Sequence, residues 1–404
     1  MNREEFRQHF IQSLSALGIQ DYEDIQCVVE PCVEMHMIFK YNCPRCNKGL
    51  NFEGLCLKCK EEIRLEEARK LTPEQIQERQ QYLIEHLEDL ENLKDEAANY
   101  FWDCLALHGV VSEELQREAV KAEVFYPWEI YYHAPADVRD ALIQYLKTTE
   151  NSMEASHLLE CLAMQGDDVT LETFIELKKN PPKWREKLYV DPDIYAENGG
   201  WTFDESGKRL AVNYDKCYCF EKKDTGDKAV VIGRTREDRC PHCGGLLVDL
   251  ISIDGTDKRM DFLNVPGKIT ATCCPSCICF AEGYSRFELD GSSEACFPYK
   301  GMSDNEECYV SDDDCKILEN NGLELSEKES HLFAEANDWD AVSIGGFAHW
   351  IQDCQITKCP DCGKPMRYLA QLSWETIMDD MCEGTVYVEM CPDCKVISMH
   401  HQQT

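Results

Sequence analysis

Six Cys-x-x-Cys pairs run along this chain, and they group into three sets of four. Cys43/Cys46 is followed by Cys56/Cys59, Cys240/Cys243 by Cys274/Cys277, and Cys359/Cys362 by Cys391/Cys394. Each pair offers two sulfurs from one tight turn, and two such turns supply the four thiolates of a tetrahedral zinc site. Twelve of the twenty-five cysteines are used in this way, and chance placement does not repeat one spacing three times. The pattern predicts three closed structural zinc sites and ties together the segments that carry them. Nine residues (47–55) part the two pairs of the first quartet, so it reads as a small knuckle. Thirty (244–273) and 28 (363–390) residues part the inner cysteines of the other two, which leaves room for a hairpin between two knuckles.

So many cysteines also suit a disulfide-rich secreted protein. Residues 1–11, however, mix Arg3, Glu4, Glu5 and Arg7 with their apolar neighbours, unlike a signal-peptide core. No apolar run approaches the length of a membrane span. The expectation is a cytoplasmic, reducing setting, where such pairs bind metal. The formal net charge is −35. Residues 1–200 hold 21 Lys/Arg against 39 Asp/Glu, and residues 201–404 hold 20 against 37. Acidity is therefore spread over the whole chain. Such a field repels phosphate backbones and attracts basic surfaces, so a basic protein partner is expected and nucleic acid is not. Acidity that only keeps the protein soluble is the competing explanation.

The fold class expected is α+β, in three parts. Residues 1–70 hold an N-terminal helix (1–18), a β-like stretch (27–40) and the first zinc knuckle. Residues 71–195 read as helical. Thr72-Pro73-Glu74 is a helix start, and Ile76, Leu83, Leu87, Leu90, Ala97, Phe101 and Leu105 recur at helical spacing. This predicts one long helix, broken once at Lys94 and stopped at Gly109. Asp137 is the expected cap of the next segment. Helices around 138–146, 155–165 and 167–177 then suit either a short HEAT-type stack or a plain bundle. Residues 196–404 turn to glycine, aromatics and period-two alternation, as in Thr385-Val386-Tyr387-Val388-Glu389-Met390.

Within 196–404 two halves look alike, at about 196–300 and 332–404, joined by an acidic, turn-rich stretch (302–331). In each half a Cys-Pro-x-Cys-Gly knuckle precedes an apolar run, a polar loop, a strand and a Cys-Pro-x-Cys knuckle. Gly244 and Gly363 suit the positive φ that turns amides onto sulfur. Quartets of thiolates leave a metal no open position, so no catalytic residue is assigned. Cys217, Cys219, Cys273, Cys279 and Cys354 are read as buried or incidental thiols, with a fourth site on Cys217/Cys219 as the alternative. His400-His401 reads as a frayed end.

Ile344-Gly345-Gly346-Phe347-Ala348-His349-Trp350-Ile351-Gln352, followed by the Cys359 knuckle and a strand ending in Gln371-Leu372, resembles the bacterial YwqG-like proteins. More distantly it resembles the eukaryotic programmed-cell-death-two family. The likeness covers about 341–396, with a weaker echo over 230–281, and Ala348 stands where the family often has proline. It implies a duplicated β-rich zinc-ribbon module that binds proteins without established chemistry. Bacterial relatives imply immunity to toxins, and eukaryotic ones imply escort of a basic ribosomal protein. The expected function is therefore a non-enzymatic protein that sequesters a basic partner, a toxin domain foremost. A ribosomal or other RNA-binding client is the first alternative. The second is an enzyme with its site between the two ribbon halves, to be recognised by perturbed carboxylates or a Cys–His pair in a deep pocket.

Overall fold

The computed structural model describes residues 27–29, 35–37, 41–301, 308–334, 336, 341–378 and 383–404. The helix expected over 1–18 lies outside them. The protein is α+β and divides into two compact units, Met1–Leu71 and Thr72–Thr404. In the first unit, β1 (Cys27–Val29) pairs antiparallel with β2 (Met35–Met37), and β3 (Tyr41–Asn42) with β4 (Gly49–Leu50). Helix α1 (Leu57–Ala68) follows. Among the described residues of this unit, Cys43, Leu50, Cys56 and Cys59 form a buried apolar cluster.

The second unit opens with helices. Thr72 and Gln75 form a reciprocal capping box on α2 (Pro73–Glu85). The apolar repeat predicts a single break, at Lys94; the structure breaks the run twice. α2 stops at His86, whose ring Nδ1 lies 2.8 Å from the Tyr82 carbonyl and stacks on the Tyr82 ring at 4.0 Å. The imidazole thereby takes the carbonyl that the His86 amide would use in a continuing helix. α3 (Leu87–Glu91) and α4 (Asp95–Trp102) then run into a π-turn, Asp103–Leu107. Leu83, Leu90, Ala97, Phe101 and Leu105 of the expected stripe are all buried. α5 (Glu113–Lys121) follows, then α6 (Ala136–Thr148). α6 starts with Pro135 in the cap position, and Asp137 instead pairs with Arg117 at 2.7 Å. In α7 (Ser152–Gln165), Leu158, Leu159, Cys161, Leu162, Ala163 and Met164 are buried on every side. The C-terminal half of this helix is thus buried all round, as the centre of a bundle is, while Met153 near its start is exposed. α8 (Asp168–Lys179) is capped by Asp167, which accepts from the Thr170 amide.

Strands take over after the turn Pro192–Gly199. β5 (Trp201–Phe203) and β6 (Arg209–Ala211) form a ribbon that fastens to α7: Trp201 Nε1 donates to the Ala163 carbonyl at 2.9 Å. A Cβ at Gly199 would lie 2.0 Å from that same carbonyl oxygen, so only glycine fits there. The first half then contributes β7 (Cys217–Lys222), β8 (Val230–Arg239), β9 (Leu246–Asp254), β10 (Lys268–Cys273), β11 (Glu282–Phe287) and β12 (Ser293–Lys300). α9 (Asp312–Glu319) and β13 (Leu323–Leu325) come next. The second half adds β14 (Val342–Gly345), β15 (Arg367–Ser373), β16 (Thr385–Cys391) and β17 (Val396–Gln402).

Three strands form one sheet, ordered β10-β9-β8, and eight form another, ordered β12-β11-β17-β16-β15-β14-β7-β13. Each knuckle-bearing hairpin is antiparallel, β9 with β10 and β15 with β16. The strands that leave the two second knuckles, β11 and β17, pair with each other (Gly283 with Met399, Ser285 with Ile397). Side chains from both sheets enter one core, among them Ile232, Val248, Ile251, Leu372, Val388 and Met399. Of the stretch expected to join the halves, residues 308–331 are described and carry a packed helix. In α9, Cys315 and Leu318 are fully buried, Ser311 and Asp314 form a capping box, and Asp312 pairs with Arg239 at 2.6 Å. Its acidity complements the positive end of a helix.

Candidate metal centres and an acidic cavity

All three expected quartets are assembled. In each, four Sγ atoms lie within 4.8 Å of one another: Cys43, Cys46, Cys56, Cys59; Cys240, Cys243, Cys274, Cys277; and Cys359, Cys362, Cys391, Cys394. Sulfur pairs sit at 3.6 Å (Cys46–Cys56), 3.7 Å (Cys240–Cys277), 3.4 Å (Cys243–Cys274) and 3.9 Å (Cys362–Cys391). A disulfide needs about 2.05 Å. A tetrahedron with metal–sulfur bonds of about 2.3 Å has edges of about 3.8 Å. The donor sets fit a tetrahedral thiolate metal and not disulfides.

The first pair of each quartet is built the same way. The Cys43 amide donates to the Lys48 carbonyl, Cys240 to Gly245 and Cys359 to Lys364, each at 2.8 Å. The residue four beyond the first cysteine donates back to it, from Asn47, Gly244 and Gly363, at 2.8–3.0 Å. All three have positive φ, at 62°, 78° and 70°. A Cβ at Gly244 or Gly363 would touch nothing within 4 Å, so the backbone angle and not space selects glycine. Asparagine tolerates that region better than other side chains do, which is why Asn47 fills it in the first knuckle. Gly363→Ala is expected to cost about 1–2 kcal/mol and Gly363→Asn about half as much, both retaining the metal. Denaturant unfolding with metal analysis would check this; equal stability of Ala and Asn would refute the angle argument.

The second pairs differ. Cys56 caps α1, and its sulfur accepts from the Cys59 amide at 3.4 Å. Cys274 precedes a single helical turn with Pro275 in its first position, and Cys391 ends β16. Ionisation is uneven within each quartet. Burial raises the Cys43 thiol, but the amides of Cys46, Cys56 and Arg45 outweigh it and hold it at about 6. The Cys277 thiol and amide bring Cys274 to about 6, while burial pushes Cys243 up to about 12. The Lys364 amide lowers Cys362, and hydrogen bonding to Cys362 drives Cys394 up to about 11. Like charges this close oppose one another. A divalent cation held by the four sulfurs would remove that opposition and favour the thiolate form of each. Four thiolates close the coordination sphere, so the chemistry such a metal supplies is structural.

Among the described residues Cys217, Cys219, Cys273, Cys279 and Cys354 join no quartet. Cys217 and Cys219 sit on β7, and Cys273 is buried at the end of β10. Cys308 lies outside every Cys-x-x-Cys pair. Its sulfur lies 3.6 Å from Ser276 Oγ, and a Cβ on Gly245 would meet both it and Cys243. Nothing local in the sequence marks that neighbour.

The Gly-Gly-Phe-Ala-His-Trp stretch does a different job. Gly345 and Gly346 both have positive φ, and a Cβ on either would strike a backbone carbonyl, Lys216 at 2.1 Å or Leu332 at 2.5 Å. The chain turns there out of the sheet and crosses its polar face. Gln371 Oε1 accepts from the His349 amide (2.8 Å), Tyr387 Oη from Ile351 (3.0 Å), Gln402 Oε1 from Gln352 (3.0 Å) and Glu389 Oε2 from Thr357 (2.8 Å). The sheet's polar residues satisfy an irregular segment, and the glycine pair, tryptophan and Gln371 are parts of one device. His400, expected in a frayed end, is buried on β17 with its ring parallel to Trp350. Burial lowers its pKa to about 4.

Between this crossing segment and the helices lies a cavity of about 490 Å³. Glu129, Glu160, Glu197 and Asp353 line it together with Trp128, Tyr195 and Trp350. Asn198 Nδ2 donates to Glu160 at 2.6 Å. Burial raises Glu160 and Glu197 to about 8 and Glu129 to about 7. Cys354 also lines it, and burial pushes its thiol well up, so it is no ready nucleophile. The helical region supplies much of the lining, together with Glu197, Asn198 and Asn213 from the first half and residues 347–350 and 352–354 from the second.

Among the described residues no helix is long and apolar enough to cross a membrane. No protein-family model matches the chain, and no solved structure matches it significantly. A curated protein of Salmonella typhimurium, printed as "Uncharacterized protein YpfL", is 28% identical over 278 residues, which is 68% of this chain and 64% of that protein. The chain thus spans somewhat less than two thirds of that relative's length, and the printed name assigns no activity.

Proposed function

We propose that this chain is a zinc-held, acidic protein-interaction module of the cytoplasm that sequesters a basic protein partner. Neutralising a toxin domain is the leading role, and escorting a ribosomal or other RNA-binding client is the alternative. The net charge of −35, spread evenly over both halves, carries the reading. Closed thiolate quartets support it, because they spend their metal on architecture. The likeness of 341–396 to YwqG-like and programmed-cell-death-two proteins, itself a proposal, points the same way.

An enzyme is the second reading, favoured by one observation. Glu129, Glu160 and Glu197 line a cavity with raised pKa values, as general acids often do. Intact-mass measurement of a partner recovered on the protein separates the two. The binding reading expects a basic partner of unaltered mass. A partner returned cleaved or modified would favour the enzyme.

A further inference from the structure

The acidic cavity has an electrostatic imbalance that its own walls do not settle. Four carboxyl groups line it, and among the described lining residues there is no lysine or arginine. Some buried or half-buried carboxylates elsewhere have basic partners: Asp103 has Arg79 at 2.5 Å, Asp227 has Arg259 at 2.6 Å, and Asp249 has Arg236 at 3.1 Å. Fully buried Glu389 is instead held by hydrogen bonds from the Thr357 amide and the Ser398 hydroxyl. Glu129, Glu160 and Glu197 are at least half-buried, while Asp353 is exposed at the mouth, and confined carboxyls with no cation on the lining are costly to ionise.

Aromatic groups supply the second observation. Trp128, Tyr195, Phe347 and Trp350 line the same space. Rings beside carboxylates form the environment that a desolvated ammonium or guanidinium prefers, through cation–π attraction and charge-assisted hydrogen bonds. The volume falls within the roughly 300–1,000 Å³ of small-ligand sites. At the rim, Tyr189 is fully exposed and Val190 partly so, offering apolar surface to an aliphatic stem.

We propose that this cavity takes the cationic head of a lysine- or arginine-class side chain presented by a protein partner, held by Glu129, Glu160, Glu197 and Asp353 against the aromatic lining. The inference rests on the basic-partner reading and names where on the surface such a partner would anchor. One inserted cation in a confined, acidic, aromatic pocket has the character of a binding hot spot.

The test uses the full-length protein and N-acetyl-arginine amide, with N-acetyl-citrulline amide as the uncharged isostere, followed by tryptophan fluorescence and calorimetry. The arginine probe should bind saturably and the citrulline probe at least about tenfold more weakly. Glu129→Gln with Glu160→Gln should weaken the arginine probe about tenfold or more, with thermal stability and zinc content unchanged. Should that double variant fold poorly, Tyr189→Ala at the exposed rim should still slow capture of the partner. Equal response to charged and uncharged probes, or full arginine affinity in a folded double variant, would overturn the proposal. Salt-sensitive capture of a basic protein that the double variant leaves unchanged would overturn the cavity's role while the partner reading stands. Arginine-selective binding without salt-sensitive capture of any basic protein would support the cation chemistry and overturn the partner as its source.

Discussion

Serine at Cys362 or Cys394 is expected to strip the metal from the third quartet and unfold the large sheet around it. The third quartet joins the turn before β15 to the turn between β16 and β17, the middle strands of the eight. Structural zinc contributes about 10–16 kcal/mol of apparent binding free energy, comparable with the roughly 5–15 kcal/mol that holds a whole domain together. Cys362 makes the test sharp because its side chain is exposed. An exposed cysteine that ligates nothing should accept serine within about 0.5 kcal/mol. Buried Cys217 is the control: Cys217→Ser places a hydroxyl in the core at a cost of about 1–3 kcal/mol and leaves the metal content intact. Thermal unfolding with parallel metal analysis separates the cases. A Cys362→Ser protein with unchanged melting temperature and full metal would dissolve the quartet.

Association with a basic partner is expected to slow about tenfold or more as salt rises from about 20 to about 300 mM, because steering acts on encounter and is screened within about 8 Å at physiological ionic strength. The dissociation rate should change less. Charge reversal must be placed with care. Asp312 holds Arg239, and Asp314 caps α9, so lysine at either would damage the fold. Asp313 is exposed and, among the described residues, pairs within its own helix with Lys316, so Asp313→Lys is the cleaner probe of that face. Duplex DNA or RNA should show no gel shift, for want of phosphate-neutralising charge. Salt-independent association would move the interface to apolar surface. Tight nucleic-acid binding would overturn the reading of the charge.

The quartets were legible in the sequence because ligand spacing is local chemistry: two sulfurs three residues apart need one tight turn, wherever the rest of the chain goes. The knuckle glycines were legible for the same reason. Asn47 is not legible as their equivalent, since asparagine has many uses and only its positive φ reveals this one. Period-two alternation in 385–390 located β16, but alternation cannot say what covers the polar face. Here it is protein, since Tyr387 and Glu389 bond the crossing segment and are fully buried. The break at His86 depends on one ring bonding one carbonyl, a contact that apolar periodicity does not encode. The cavity was the least legible feature. Its carboxyls come from positions 129, 160, 197 and 353, which nothing in the sequence brings together.

The most direct test of the central claim is the metal content of the full-length protein, by elemental analysis and native mass spectrometry. Three quartets with sulfur spacings fit for a tetrahedral thiolate metal predict close to three zinc ions per chain. Chelation or the Cys362→Ser change should lower the count. A count near one, or iron in place of zinc, would contradict the account of three closed zinc sites.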